Sequence, residues 1–141
     1  MKIKPLNPDK IVDIPLNTWE SIGDNACNVV RKQIREKRAL TGKYSKSYAI
    51  AKSSRQAAQN QSSTEVGFVD LTLTGKMLLA LERQNTSKNS VTIGLLGTYA
   101  KRVQDLQRIG FKKGADWYIF NKKISRAITA DTIQRIDKQF A

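Results

Sequence analysis

Val69-Asp70-Leu71-Thr72-Leu73-Thr74-Gly75-Lys76-Met77-Leu78 changes its period midway. Leu71 and Leu73 alternate with Thr72 and Thr74, and that alternation predicts a half-buried strand over 69–74. Gly75 breaks the pattern. Met77, Leu78, Leu79 and Leu81 then form a compact apolar group expected on a tight turn or short helix, with the Thr74 hydroxyl as its cap. Ser90-Val91-Thr92-Ile93-Gly94-Leu95 alternates again after the turn-forming Asn85–Asn89, so pairing 69–74 with 90–95 would make a wide antiparallel β-hairpin. A corner of this kind specifies a shape rather than a chemistry.

Helical periods flank the corner. Trp19, Ile22, Ala26, Val29, Val30 and Ile34 recur at steps of three and four, which predicts a helix from Thr18 to Arg38. Asn17 and Glu20 have capping-box spacing at its start. Ser45–Ala51 opens a short helix. Tyr99, Ala100, Val103, Leu106 and Ile109 define another helix after Gly97, with Gly110 as its stop. Trp117–Phe120 reads as a short strand closed by Asn121. Ile133, Ile136 and Phe140 share one face of a C-terminal helix over Thr129–Phe140. The expected class is therefore α+β, a small antiparallel sheet with a long N-terminal helix and two further helices.

The sequence has 141 residues, enough for one domain with a modest core. Residues 1–16 hold all three prolines and read as an extended arm with a short strand at Lys10–Ile14, either reaching a neighbouring subunit or frayed. Residues 17–141 form the domain. Within it, 52–64 is a long polar loop of Ser, Gln, Ala and Asn, with Lys52 and Arg55 near its start.

Twenty-five Lys and Arg face twelve Asp and Glu, a net charge of +13 that attracts polyanions. Nucleic acid and an acidic protein neighbour both answer that charge. There is no histidine and one cysteine, so a zinc site of ordinary type cannot be assembled and the commonest general base is missing. No cofactor motif occurs: Gly94-Leu95-Leu96-Gly97 lacks the spacing and lysine of a phosphate loop. The carboxylates are scattered. Asp70 is the best catalytic candidate among them, but hydrogen-bonding duty in a turn is its first expectation, and no enzyme is expected. Cys27 lies beside the helix stripe as a small buried hydrophobe, which fits synthesis in a reducing cytoplasm. No apolar run reaches the roughly 20 residues of a membrane span, so no membrane partner is expected.

Cations crowd the end of the first helix: Arg31, Lys32, Arg35, Lys37 and Arg38 exceed what the helix dipole calls for, and a partner face is expected there. Tyr44 and Tyr48 alternate with Lys43 and Lys46, either as a stacking track or as anchors of the loop to the core. Arg31, Lys32, Arg35, Arg38, Lys43, Tyr44, Tyr48, Lys52 and Arg55 form the candidate interface set.

Gly42-Lys43-Tyr44-Ser45-Lys46-Ser47-Tyr48-Ala49 and Leu71-Thr72-Leu73-Thr74-Gly75-Lys76-Met77-Leu78, in that order after a basic first helix, resemble the neck and tail-completion proteins of tailed bacteriophages, the virion morphogenesis family. Val91–Gly94, Tyr99-Ala100 and Gln107-Arg108-Ile109-Gly110 follow in the family's order, so the likeness runs from about Trp19 to Gly110. The family's histidine before that glutamine and its Arg-Pro-Phe-like C-terminal stretch are absent here.

The resemblance implies a structural subunit without catalytic residues or cofactors. It implies a ring of six or twelve copies at the head–tail junction of the virion. The ring would contact portal, adaptor or head-completion proteins on one side, tail tube or sheath proteins on the other, and packaged DNA. Such a ring would use the arm, the polar loop and the hairpin edge to contact neighbours. The residue-level alternative is a basic nucleic-acid-binding accessory protein.

Overall fold

The computed structural model describes residues 1–4 and 14–139. Its elements run β1 (Lys2–Ile3), α1 (Leu16–Arg35), α2 (Lys46–Ser53), α3 (Lys76–Leu79), β2 (Leu81–Ser87), β3 (Ser90–Leu95), α4 (Gly97–Lys112) and α5 (Lys122–Gln139). The three strands form one antiparallel sheet in the order β1-β3-β2. The fold is α+β. No helix among the described residues is long and apolar enough to cross a membrane.

The core lies between the sheet and α1. Trp19, Ile22, Ala26, Cys27, Val30 and Ile34 keep the helical spacing read from the sequence, and all are buried. They meet Leu81, Val91 and Ile93 from the sheet, and α5 closes the other side with Ile124 and Ile128. Each such side chain contributes roughly 1.5–3 kcal/mol by leaving water. Burial also pushes the Cys27 thiol pKa up, as a small core residue requires.

Both ends of α1 differ from expectation. The helix starts at Leu16, where the Pro15 carbonyl accepts the amides of Thr18 (3.0 Å) and Trp19 (3.2 Å). No capping box forms. Asn17 is already helical, and the Glu20 carboxylate turns to Arg83 at 3.4 Å. The helix ends at Arg35 because Arg38 takes the left-handed conformation (φ 51°) and the Ala39 amide reaches back to the Gln33 carbonyl at 3.0 Å.

The expected strand over 69–74 does not form, and neither does the wide hairpin. Tyr44 supplies the reason. Its hydroxyl accepts the amides of Asp70 (3.2 Å) and Leu71 (3.0 Å), while the Asp70 carboxylate takes the Thr72 amide (3.1 Å). Side chains thus satisfy the groups a neighbouring strand would have used, and Leu71 at φ 48° interrupts the extended run. Thr74 makes no cap either, since Gly75 (φ 85°) precedes α3 without a side-chain cap.

The observed hairpin is tight. β2 pairs with β3 from Leu81↔Leu95 to Ser87↔Ser90 across the two-residue turn Lys88-Asn89, with a register shift between Arg83 and Asn85. The polar sequence Leu-Glu-Arg-Gln-Asn-Thr-Ser hides β2 from a search for alternation, because Leu81 is its one buried apolar residue. The arm contributes β1, with Lys2 opposite Thr92 and Ile3 opposite Val91. Of the expected strand at Lys10–Ile14, residues 10–13 lie outside the described residues and Ile14 is not in a strand.

The C-terminal third is more helical than its sequence reading. α4 passes through Gly110 to Lys112 and turns at Gly114 (φ 70°). Gly110 serves packing instead: a Cβ there would sit 2.8 Å from Cγ and Cδ2 of Trp117. Trp117–Phe120 is not a strand. Trp117 is buried and donates through Nε1 to the Thr41 carbonyl at 2.7 Å, an irregular path no sheet shares. Asn121 starts α5 well before Thr129 by accepting the Ile124 amide at 3.0 Å. The inward stripe of α5 is Ile124, Ile128 and Thr132. Ile136 is half-buried, Ile133 is exposed, and Phe140 lies outside the described residues.

Candidate functional site

Ser45 opens α2 by accepting the Tyr48 amide at 3.4 Å, and α2 turns Lys52 into the protein. No part of Lys52 is exposed, and its ammonium lies 2.5 Å from Oδ1 of Asp70, which is itself 4% exposed. The same Oδ1 accepts the Tyr44 hydroxyl at 2.8 Å, and Oδ2 accepts the Ser63 hydroxyl at 2.8 Å. A buried charge requires this many partners. Asp70 thereby joins α2, the polar loop and the Leu-Thr stretch.

Burial, and then the negative Asp70, hold the Tyr44 hydroxyl far above the usual tyrosine range. Burial raises Tyr48 as well; Asp70 adds to that and Arg102 opposes it. The cluster locks segments together. Its lysine has no surface through which a substrate could approach.

An apolar groove of about 400 Å³ lies against this cluster. One wall is a face of α4: Tyr99, Arg102, Leu106, Ile109 and, just past the helix, Lys113. The other is Tyr44, Tyr48, Leu71 and the run Leu73–Met77, and Trp117 also lines the groove. The corner residues that looked like a hairpin are therefore a groove wall. The volume falls within the usual range of binding pockets, roughly 300–1,000 Å³.

The sequence-derived interface set divides. Tyr44 and Tyr48 line the groove. Lys52 is corrected outright from surface cation to buried ion-pair partner. Arg31 is also corrected: its guanidinium donates to the carbonyls of Leu78 (2.9 Å) and Leu81 (2.7 Å), tying α1 to the start of β2. Arg38 lies over the Phe68 ring at 5.0 Å. Arg55 reaches the Gln61 carbonyl at 3.2 Å. Lys32, Arg35 and Lys43 are exposed. Of the set, Tyr44 and Lys52 meet at Asp70 with Tyr48 packed on Tyr44, while Arg31 serves the start of β2.

Sequence reasoning missed Leu106, Ile109, Tyr99 and Trp117 as groove residues. Their helical or aromatic pattern was visible, but periodicity cannot separate a stripe facing a core from one facing a groove. Among the described residues, no group of His, Cys, Asp and Glu side chains could hold a metal ion. No family model, no curated protein and no solved structure matches the chain.

Proposed function

We propose that this chain is a structural component of a tailed-bacteriophage head–tail connector. It would be a neck, tail-completion or tail-terminator protein whose ring of copies joins the head and portal complex to the tail. The observation that carries the reading is the meeting of the two stretches that bear the resemblance. Gly42–Ala49 and Leu71–Leu78 are separate in sequence, yet the Leu71 amide donates to the Tyr44 hydroxyl and both stretches line one groove.

Two further features support a role built on surfaces. Among the described residues β2 is an edge strand with no partner on its outer side, and a neighbouring copy could extend it. Large apolar side chains stand exposed, among them Leu79 (72%) and Phe111 (81%).

The test is the oligomeric state of purified protein at assembly concentrations, by light scattering and negative-stain microscopy. Closed rings of six or twelve copies are expected, together with detection of the chain in assembled virions. A persistent monomer absent from virions would overturn the reading. The competing role, a nucleic-acid-binding accessory protein, rests on the +13 charge. It requires duplex affinity that falls steeply with salt.

A further inference from the structure

α4 is a sixteen-residue helix with two buried residues, Val103 and Gly110. Tyr99, Leu106 and Ile109 line the groove, with Ile109 45% exposed. From Tyr99 to Lys113 the track runs about 21 Å along the helix, at 1.5 Å per residue. That is long for a compact small molecule and suits a polypeptide segment. Arg102 and Lys113 stand about 16 Å apart along it, Lys76 rises from the opposite wall, and none of the described lining residues is acidic.

We propose that this groove docks an apolar segment of another protein that carries carboxylates near both ends. The apolar side chains would enter between Leu106, Ile109 and the Leu-Thr wall, and the carboxylates would meet Arg102 and Lys113. Charge argues against a second copy as occupant, since this chain carries about twice as many cations as anions. The aromatics argue against nucleic acid. Tyr44 already packs on Tyr48 at 5.0 Å and carries Lys52 over its ring at 4.7 Å, and Lys113 lies over Trp117 at 5.8 Å. These rings are engaged within the protein rather than held open for bases. The inference rests on the connector reading and names the chemistry of one partner.

The full-length chain would be panned against a random library of displayed peptides of about twelve residues, long enough to follow the track between the two cations. Enriched peptides would then be synthesised and titrated by fluorescence anisotropy. Enrichment of apolar sequences bearing Asp or Glu is expected. Binding should weaken about tenfold in Arg102→Glu and in Ile109→Ser, both exposed positions whose variants should melt as the parent does. A Lys-for-Glu version of each peptide should bind the Arg102→Glu variant better than the parent. No enrichment, enrichment without acidic residues, or binding indifferent to both variants would overturn the proposal. So would self-association lost in Ile109→Ser, or binding of a single-stranded oligonucleotide lost there. Peptide binding without rings would sink the connector reading alone, and rings without acidic-peptide binding would sink this inference alone.

Discussion

Asp70 and Lys52 show how a residue's neighbours decide its role. In sequence, one is a carboxylate in an apolar run and the other a cation at the edge of a polar loop; in the fold they are 2.5 Å apart and buried. Replacing Asp70 with Asn leaves Lys52 buried without its counter-charge, at an expected cost of about 3–5 kcal/mol. Adding Lys52→Met should recover part of that loss, so the double variant should be more stable than the sum of the singles predicts in urea melts. Strict additivity would contradict the pairing. Tyr44 links the pair to solvent pH. Its folded-state pKa lies above the ordinary value of 10.0, so the neutral phenol is favoured by folding. The stability this contributes is complete below about pH 10 and is lost as pH rises past it. Tyr44→Phe should be about 1–3 kcal/mol less stable at neutral pH, because two amides lose their acceptor. Its stability should also fall less steeply above about pH 10, with a residual slope from Tyr48.

At the scale of elements, α4 and α1 make separate predictions. Alanine is normally the better helix former, yet Gly110→Ala should lower the melting temperature, because the added Cβ meets the Trp117 ring at 2.8 Å. Overpacking of this kind costs about 1–3 kcal/mol, more than the roughly 1 kcal/mol gained in propensity. An unchanged or raised melting temperature would mean Trp117 does not sit there. Arg31→Gln should loosen the join between α1 and β2, read as faster amide exchange at Leu81 and its neighbours. The elements legible in sequence were those whose apolar period is long and one-sided, above all α1. The Leu-Thr stretch was misread because its alternation is real but its backbone amides go to the Tyr44 hydroxyl, remote in sequence, and to the neighbouring Asp70 carboxylate. β2 was missed for the opposite reason: it belongs to the sheet through backbone pairing, with almost no apolar signal of its own. Of the groove, Tyr44 and Tyr48 were visible, while the α4 wall was legible only as the period of a helix.

For the whole molecule the question is what the surplus of positive charge meets. The cations at the end of α1 divide by task once the fold is known. Arg31 secures β2 and Arg38 lies over Phe68, so neutralising them confounds stability with binding. Lys32, Arg35 and Lys43 are exposed, and they are the cleaner test. Exposed charges contribute little to folding, within about 0.5 kcal/mol each. The variant with all three replaced by glutamine should therefore melt within a few degrees of the parent and keep its oligomeric state. If these cations face an acidic ring above or below, head–tail joining in an assembly assay should weaken in this variant. The defect should be mimicked in the parent by raising salt, since surface attraction is screened beyond about 8 Å at physiological ionic strength. Joining that survives both the substitutions and the salt would remove these cations from the interface. The groove beside α4 would then remain a candidate contact, and its apolar walls predict joining that fails in Ile109→Ser.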